Sequence, residues 1–348
     1  RAKALGATVI LGSATPSLEA YYRARTGTYR LLELTHRIDH RPLPRVTIVD
    51  MRQEFHKQKR PPVLSWQLID KLRQIIARQE QAILFLNRRG FATYISCQSC
   101  GTPLKCSRCA VTMVYHSQEN QLFCHWCNRR IERPQICPVC RSGYLKLLGK
   151  GTEKVESELS RLFPGVPVER MDTDSTRRAG SHDRMLDDFK HQRTRILVGT
   201  QMVAKGHDFP LVTLVGVIST DVSLNIADFR SSERTFSLLT QVAGRAGRGD
   251  DPGEVIIQTY TPEHYSVQAS REHDYTGFYA KEIVFREELA FPPFSHFIRI
   301  TARAAKEERG RDALIRLKEK LPTHLNVPFS TEGPAPAVQY RMRGLYRW

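Results

Sequence analysis

The chain has 348 residues, of which 41% are hydrophobic and 26% charged. That balance excludes a largely disordered chain, and the length predicts two or three domains rather than one core. Lysine and arginine number 53 against 36 acids, giving a net charge of +17 that favours a polyanionic partner. No run approaches the roughly 20 apolar residues of a membrane span, and no basic amphipathic helix is rich in Trp and Phe, so nucleic acid fits better than a membrane. The start, Arg1-Ala2-Lys3-Ala4-Leu5, has no initiator Met and no signal-peptide core, as expected of a piece of a longer chain.

Ala7 to Gly12 is a short β-rich run that leads into Ser13-Ala14-Thr15-Pro16, and Arg41-Pro42-Leu43-Pro44-Arg45 has linker composition. Ser65 can cap a helix whose Leu68, Leu72, Ile75 and Ile76 share a face. Ala82 to Leu86 is continuously apolar, as a strand buried on both faces requires. Beyond a cysteine-rich block, alternation resumes. A helix is predicted through Val155, Leu159 and Leu162, a strand at 167–171, a helix near 185–189, and strands at 195–199 and 212–218. A helix at 232–243 and a strand at 254–259 complete the set. The pattern predicts a parallel α/β domain with the cysteine block inserted in it. After Thr261 a helical segment with Tyr275, Phe278 and Ile283 precedes Phe291-Pro292-Pro293-Phe294. An alternating strand at 297–303 and a helix at about 306–321 follow, which reads as a small α+β domain.

All eight cysteines lie between positions 97 and 140, as four pairs with two residues inside each. That spacing lets a tight turn aim both sulfurs at one ion, so eight thiolates suit two closed tetrahedral zinc sites and a reducing compartment. A disulfide framework would instead scatter cysteines through a small domain. Sequential pairing would leave only five residues between Cys100 and Cys106, cramped for two knuckles that face each other. Nested pairing joins Cys106, Cys109, Cys124 and Cys127 around a hairpin-sized loop, with Cys97, Cys100, Cys137 and Cys140 closing outside it. His116 and His125 are then spare, and Trp126 suits packing better than base stacking. The block holds seven Lys and Arg against Glu119 and Glu132, but two loaded four-thiolate sites would leave only about one net positive charge. Arg129, Arg130 and Arg133 could still touch phosphates.

Gln241-Val242-Ala243-Gly244-Arg245-Ala246-Gly247-Arg248-Gly249 sets two arginines three apart among small residues. Such a pair can stabilise charge on a transferring phosphoryl group; a Gly-rich basic turn is an equal reading of these residues alone. The segment Gly199-Thr200-Gln201 to Lys205-Gly206-His207-Asp208-Phe209-Pro210 follows a predicted strand, where parallel sheets bind ligands, although an ordinary strand-to-helix loop with a capping Thr reads the same way. At the other end of the chain Tyr340, Arg341, Arg343, Tyr346, Arg347 and Trp348 interleave rings and cations, which suits base stacking or inward packing of a strand equally.

Ser13-Ala14-Thr15-Pro16, the segment ending Asn87-Arg88-Arg89-Gly90, the 199–210 segment and the 241–249 segment occur in that order. They resemble motifs III to VI of superfamily 2 helicases, and the eight-cysteine insertion resembles the bacterial replication-restart branch of that superfamily. The resemblance implies that residues 1–45 end the first helicase lobe and a linker. It implies a second, RecA-like lobe at 46–96 and 149–262, the two-zinc module at 97–148 and an α+β domain, cut short, at 263–348. It implies nested zinc ligation, Arg245 and Arg248 as arginine-finger candidates with Arg248 preferred, Gly206 and Asp208 as nucleotide contacts, and Thr15 coupling ATP to DNA. The implied protein is a cytoplasmic, monomeric, ATP- and Mg²⁺-dependent 3′-to-5′ DNA helicase. It would recognise forked DNA, work with primosome proteins and single-stranded DNA-binding protein, and need no membrane. No Gly-x-x-x-x-Gly-Lys-[Ser/Thr] loop is present, since Gly149-Lys150-Gly151-Thr152 is too compact, and no Asp-Glu magnesium motif is present either. The chain alone is therefore expected not to hydrolyse ATP.

Overall fold

A computed structural model gives the structure of the chain at residues 2–34, 42–58, 62–86, 94–108, 111–116, 119–124, 127, 129–148, 152–171, 181–200, 209–218, 220–226, 228–247, 252–324, 327–337, 340–342 and 344–348. The chain opens with α1 (Leu18–Arg25), β1 (Arg45–Asp50), α2 (Met51–Gln58), α3 (Trp66–Ala77) and β2 (Gln81–Phe85). The inserted segment carries β3 (Tyr94–Cys97), β4 (Val114–His116), β5 (Gln121–Phe123), β6 (Arg130–Glu132) and β7 (Leu145–Leu148). Then come α4 (Thr152–Leu162), β8 (Val168–Met171), α5 (Ser181–Lys190), β9 (Ile196–Gly199), β10 (Val212–Val217), α6 (Asp221–Leu224), α7 (Ser231–Ala243), β11 (Glu254–Thr259) and α8 (Tyr265–Arg271). The chain closes with α9 (Tyr275–Glu288), β12 (Arg303–Ala304), α10 (Glu307–His324), β13 (Arg341–Met342) and β14 (Leu345–Arg347).

Six strands form one parallel sheet in the order β1-β11-β10-β2-β9-β8. The central strands are buried on both faces, which explains why β2 and β9 read as unbroken apolar runs. Register puts Val255, Val215, Ile83 and Leu197 in one row, all in the core beneath α5 and α7. The next row, Ile256, Gly216, Leu84 and Val198, meets α3 and α4 on the other face. Gly216 gives room there: a Cβ would lie 2.6 Å from a Leu84 methyl and 3.1 Å from a Leu68 methyl, so both side chains would have to shift. Ser65 caps α3 by accepting from the Leu68 amide at 3.3 Å, and Leu68 and Leu72 are fully buried.

Two expected strands do not form. Residues 7–13 carry no strand, and Val9, Ile10 and Leu11 are 58, 89 and 70% exposed. A β run needs a neighbouring strand to take its backbone groups, and no described strand lies beside it. Of the expected 297–303 strand only Arg303 enters a ladder, against Arg347, while Phe297 and Ile298 remain exposed. The small C-terminal sheet, β12-β14-β13, was foreseen only in outline. Helix α1 was not foreseen; its Leu18 packs between Phe236 of α7 and Phe278 of α9. Because α8 and α9 pack on α7, the boundary expected at 262/263 runs through continuous packing. Among the described residues, no helix is long and apolar enough to cross a membrane.

Candidate functional site: two cysteine clusters and an arginine helix

The inserted segment rises from the carboxyl end of β2 and returns to α4. Its base is the β3–β7 pair, which brings Cys97 opposite Leu145. The sulfurs of Cys97, Cys100, Cys137 and Cys140 all lie within 4.8 Å of one another, with Cys97 3.5 Å from Cys140 and Cys100 3.8 Å from Cys137. A Zn–S bond of about 2.3 Å requires sulfurs roughly 3.8 Å apart at the corners of a tetrahedron, so this donor set fits a four-thiolate ion. Beyond it, β4-β5-β6 forms a small antiparallel sheet, and Cys106, Cys124 and Cys127 form a second group, with Cys106 3.7 Å from Cys127. Cys109, His125 and Trp126 lie outside the described residues. The two groups are nested rather than consecutive.

In the outer group burial and the neighbouring thiols push Cys97 up to about 12. Burial also works to raise Cys100, but its hydrogen bonds to Thr102 hold it down to about 7. A metal takes each of these cysteines as the thiolate. His116 packs its ring 4.2 Å from that of Phe123, and burial lowers its pKa, so it serves packing. The guanidinium of Arg130 covers the same Phe123 ring at 4.5 Å.

The outer group is wired to the parallel sheet. Gln98, between two cysteines and 1% exposed, accepts a hydrogen bond at 2.7 Å from the Tyr260 hydroxyl just past β11. Asp221, fully buried, accepts from the Tyr260 amide at 3.0 Å and from the Thr259 and Thr261 hydroxyls at 2.9 and 3.0 Å. Asn225 reaches Tyr94 and Thr112 on the inserted side. Gly101 is at φ +78°, and a Cβ there would sit 2.4 Å from the Tyr260 carbonyl oxygen.

The arginine segment leaves α7 at the opposite, amino end of the strands, where the Gly247 amide donates to the Val212 carbonyl. Thr200 lies at the carboxyl end of β9, so the 199–210 segment begins at one end of the sheet and meets β10 at the other. Gly206, Asp208, Arg248 and residues 87–90 lie outside the described residues. Along α7, Ser237 and Gln241 lie one turn apart on one face, and Arg245 follows the C-cap Gly244 just beyond the helix. Thr15 joins that face through a 2.8 Å hydrogen bond between its hydroxyl and that of Ser237, and Gln241 donates to Ser237 at 3.1 Å. A cleft of about 310 Å³ opens here, lined by Thr15, Ser17, Arg234, Ser237 and Gln241 among others.

Sequence reasoning missed a buried charge cluster behind this face. Arg286 of α9, 1% exposed, pairs at 2.8 Å with both Glu233 of α7 and Glu282, lies 3.8 Å from Glu19 of α1 and donates to the Pro292 carbonyl at 2.9 Å. Glu19 in turn takes Arg230 at 2.6 Å, and the guanidiniums of Arg230 and Arg286 each stand 4.7 Å from the Phe229 ring centroid. Burial pushes the Glu282 carboxyl up against the pull of Tyr265 and Arg286. Burial works against Glu19 as well, but its bond to Arg230 holds the carboxyl below its ordinary value. The available signal was the Glu282/Arg286 spacing of four on a helix with apolar neighbours. At the C-terminus the rings of Tyr340 and Tyr346 meet at 5.4 Å and Arg341 lies 5.0 Å over Tyr346, so these rings are engaged with each other; Arg343 lies outside the described residues.

Residues 106–131 match the PriA DNA helicase Cys-rich region (CRR) domain, and residues 147–250 match the helicase conserved C-terminal domain. The chain is 44% identical over 348 residues to the replication restart protein PriA of Bacillus subtilis, covering 100% of this chain and 43% of that protein. It is 46% identical over 353 residues to the PriA of Synechocystis, covering 98% of this chain and 42% of that one. The chain thus spans less than half the length of these relatives. A solved structure of S. cerevisiae Dbp5 bound to RNA and ADP BeF3 aligns at 12% identity with a TM-score of 0.33, over 78% of this chain and 51% of that one, a likeness that carries no functional argument.

Proposed function

This chain belongs to the PriA family of replication restart proteins, and on that footing we propose that it is the arginine-bearing half of an ATP-dependent 3′-to-5′ DNA helicase. In this reading the protein recognises stalled or branched replication forks in the cytoplasm and starts primosome assembly. It acts as a monomer alongside primosome proteins and single-stranded DNA-binding protein. Residues 46–96 and 149–262 make the second lobe, 97–148 the zinc module and 263–348 the C-terminal domain, with 1–45 ending the first lobe and linker.

The observation that carries the motor reading is the contact of Thr15 with α7, the helix that leads into the arginine segment. Thr15 is hydrogen-bonded to Ser237 of α7, and Arg245 follows the C-cap Gly244 at the end of that helix. A shift of the Thr15 segment is thereby transmitted along a rigid rod to the arginine segment. We assign Arg248 and Arg245 to the charge that develops on the transferring phosphoryl group, with Gly206 and Asp208 holding the nucleotide. The phosphate-binding lysine and the magnesium ligands are not in this sequence, so the chain by itself binds no ATP productively.

We assign the outer zinc to Cys97, Cys100, Cys137 and Cys140, and the inner zinc to Cys106, Cys109, Cys124 and Cys127. Bound zinc would cross-link each knuckle pair and supply folding energy, not chemistry. The supporting observation is the tetrahedral sulfur spacing of the outer set.

The test is ATP hydrolysis by the full-length protein with and without forked DNA, beside Arg248→Ala. The motor reading expects hydrolysis stimulated by DNA and reduced about 10³-fold or more in the variant, with nucleotide binding retained. Fork binding without hydrolysis in either protein would refute it and leave a zinc-stabilised DNA-binding protein.

A further inference from the structure

Helix α1 ends in a built turn. Its C-cap Thr26 is followed by Gly27 at φ +83°, a conformation that suits glycine, and the Tyr29 amide returns to the Arg23 carbonyl at 3.0 Å. This folds Tyr29 back over the last helical turn. Arg23 donates to the Tyr29 hydroxyl at 3.0 Å and holds its guanidinium 5.9 Å from the ring centroid. Tyr29 remains 39% exposed. One turn earlier, Tyr22 meets Phe294 edge to face at 5.2 Å, which joins the turn after α9 to the same surface.

The cations on this surface face solvent. Arg23, Arg25 and Arg30 are exposed, and among the described residues none of them is ion-paired. The nearby acid of α1, Glu19, is turned inward onto Arg230 and Arg286. The result is a strip of aromatic faces flanked by guanidiniums that make no ion pair among the described residues, with Glu33 the exposed acid of the same segment. Aromatic faces stack on bases of any sequence, and free guanidiniums neutralise phosphates. A duplex shows neither unstacked bases nor a flat face to such a strip.

We propose that the α1 turn is a binding surface for single-stranded nucleic acid. A base stacks on Tyr29, and Arg23, Arg25 and Arg30 take phosphates beside the Tyr22–Phe294 contact. The assignment rests on the helicase reading only for its consequence. The Leu18 amide donates to Glu233 of α7 at 3.2 Å, and Thr15 precedes α1 and bonds to Ser237, so a strand held here bears directly on the helix that leads into Arg245.

The experiment uses the full-length protein, a fluorescent oligo-dT and a blunt duplex of equal length, with binding read by anisotropy across a salt series. Tyr29→Ala is expected to weaken oligo-dT binding about 5- to 150-fold, the range for loss of one stacked base, while Tyr29→Phe keeps it. The pair Arg23→Ala/Arg25→Ala is expected to flatten the slope of log affinity against log salt by about 1.4, at roughly 0.7 per phosphate contact on a single strand. All substituted side chains are exposed, so an unchanged circular dichroism spectrum accompanies both results. Unchanged oligo-dT affinity and slope in all variants would overturn the proposal, as would weakening confined to the duplex. Binding is read without hydrolysis, so a protein that fails the Arg248→Ala test can still pass this one, and the reverse.

Discussion

Replacing Arg286 by Met puts the buried charge cluster to the test. Arg286 is 1% exposed and its guanidinium neutralises Glu233 and Glu282 at 2.8 Å, while Glu19, 3.8 Å away, keeps Arg230. Met fills the apolar stem but leaves two carboxylates without a cation, one of them only 5% exposed. Removing one partner of a buried pair costs about 3–5 kcal/mol, and the Pro292 carbonyl also loses its donor, while the Phe229 face keeps Arg230. For a unit of this size each kcal/mol moves Tm by about 2–4 °C, so a fall of roughly 6–20 °C is expected. The loss has a pH signature. Glu282 already lies above its ordinary value through burial, and without Arg286 it rises further. The native state then binds more protons than the unfolded chain above the ordinary carboxyl pKa, so the variant gains stability as pH falls toward 5. The double variant Arg286→Met/Glu282→Leu is expected to recover part of the loss, since an apolar replacement of a buried pair is often close to neutral. The assay is urea and thermal unfolding by circular dichroism at pH 5, 6 and 7.5. A loss below about 1 kcal/mol that is flat in pH would refute the view that this cluster joins α1, α7 and α9.

Three further outcomes are expected. Cys97→Ser and Cys106→Ser should each lower zinc content from two ions to one per chain, measured by elemental analysis after gel filtration, because the two sulfur groups are separate. Gly101→Ala should cost about 1–3 kcal/mol from the positive φ alone, with the 2.4 Å approach to the Tyr260 carbonyl adding to it, read as a lower Tm. His264 caps α8, and burial, with the charge of Lys105, lowers its pKa to about 4. The unfolded His binds protons that the native one refuses, so stability is present above about pH 6.5 and falls as pH drops toward 4, with a slope of at most about 1.4 kcal/mol per unit. His264→Asn, which keeps the cap, should flatten that slope in denaturant titrations.

The residues themselves determined the parallel sheet and the metal chemistry. Strands buried on both faces read as apolar runs, so 82–86 was legible without any partner in view, as was the shorter run 255–257 within β11, and Ser65 with its apolar face marked α3. Cysteine pairs two residues apart carry their ligand geometry locally, which is why two thiolate groups could be read from spacing. Pairing that depends on a distant partner was not legible. Alternation at 297–303 and the β-rich run at 7–12 looked like strands because side-chain pattern records a pleat, but a strand exists only where another backbone completes its hydrogen bonds. Only the tertiary structure put Gln98 against Tyr260 across 162 residues and Thr15 against Ser237 across 222. Likewise, Arg286 and Glu282 are an ordinary helical pair in sequence. They become a buried junction because α1 and α7 bring Glu19 and Glu233 to the same point, where the low dielectric makes each charge depend on the others.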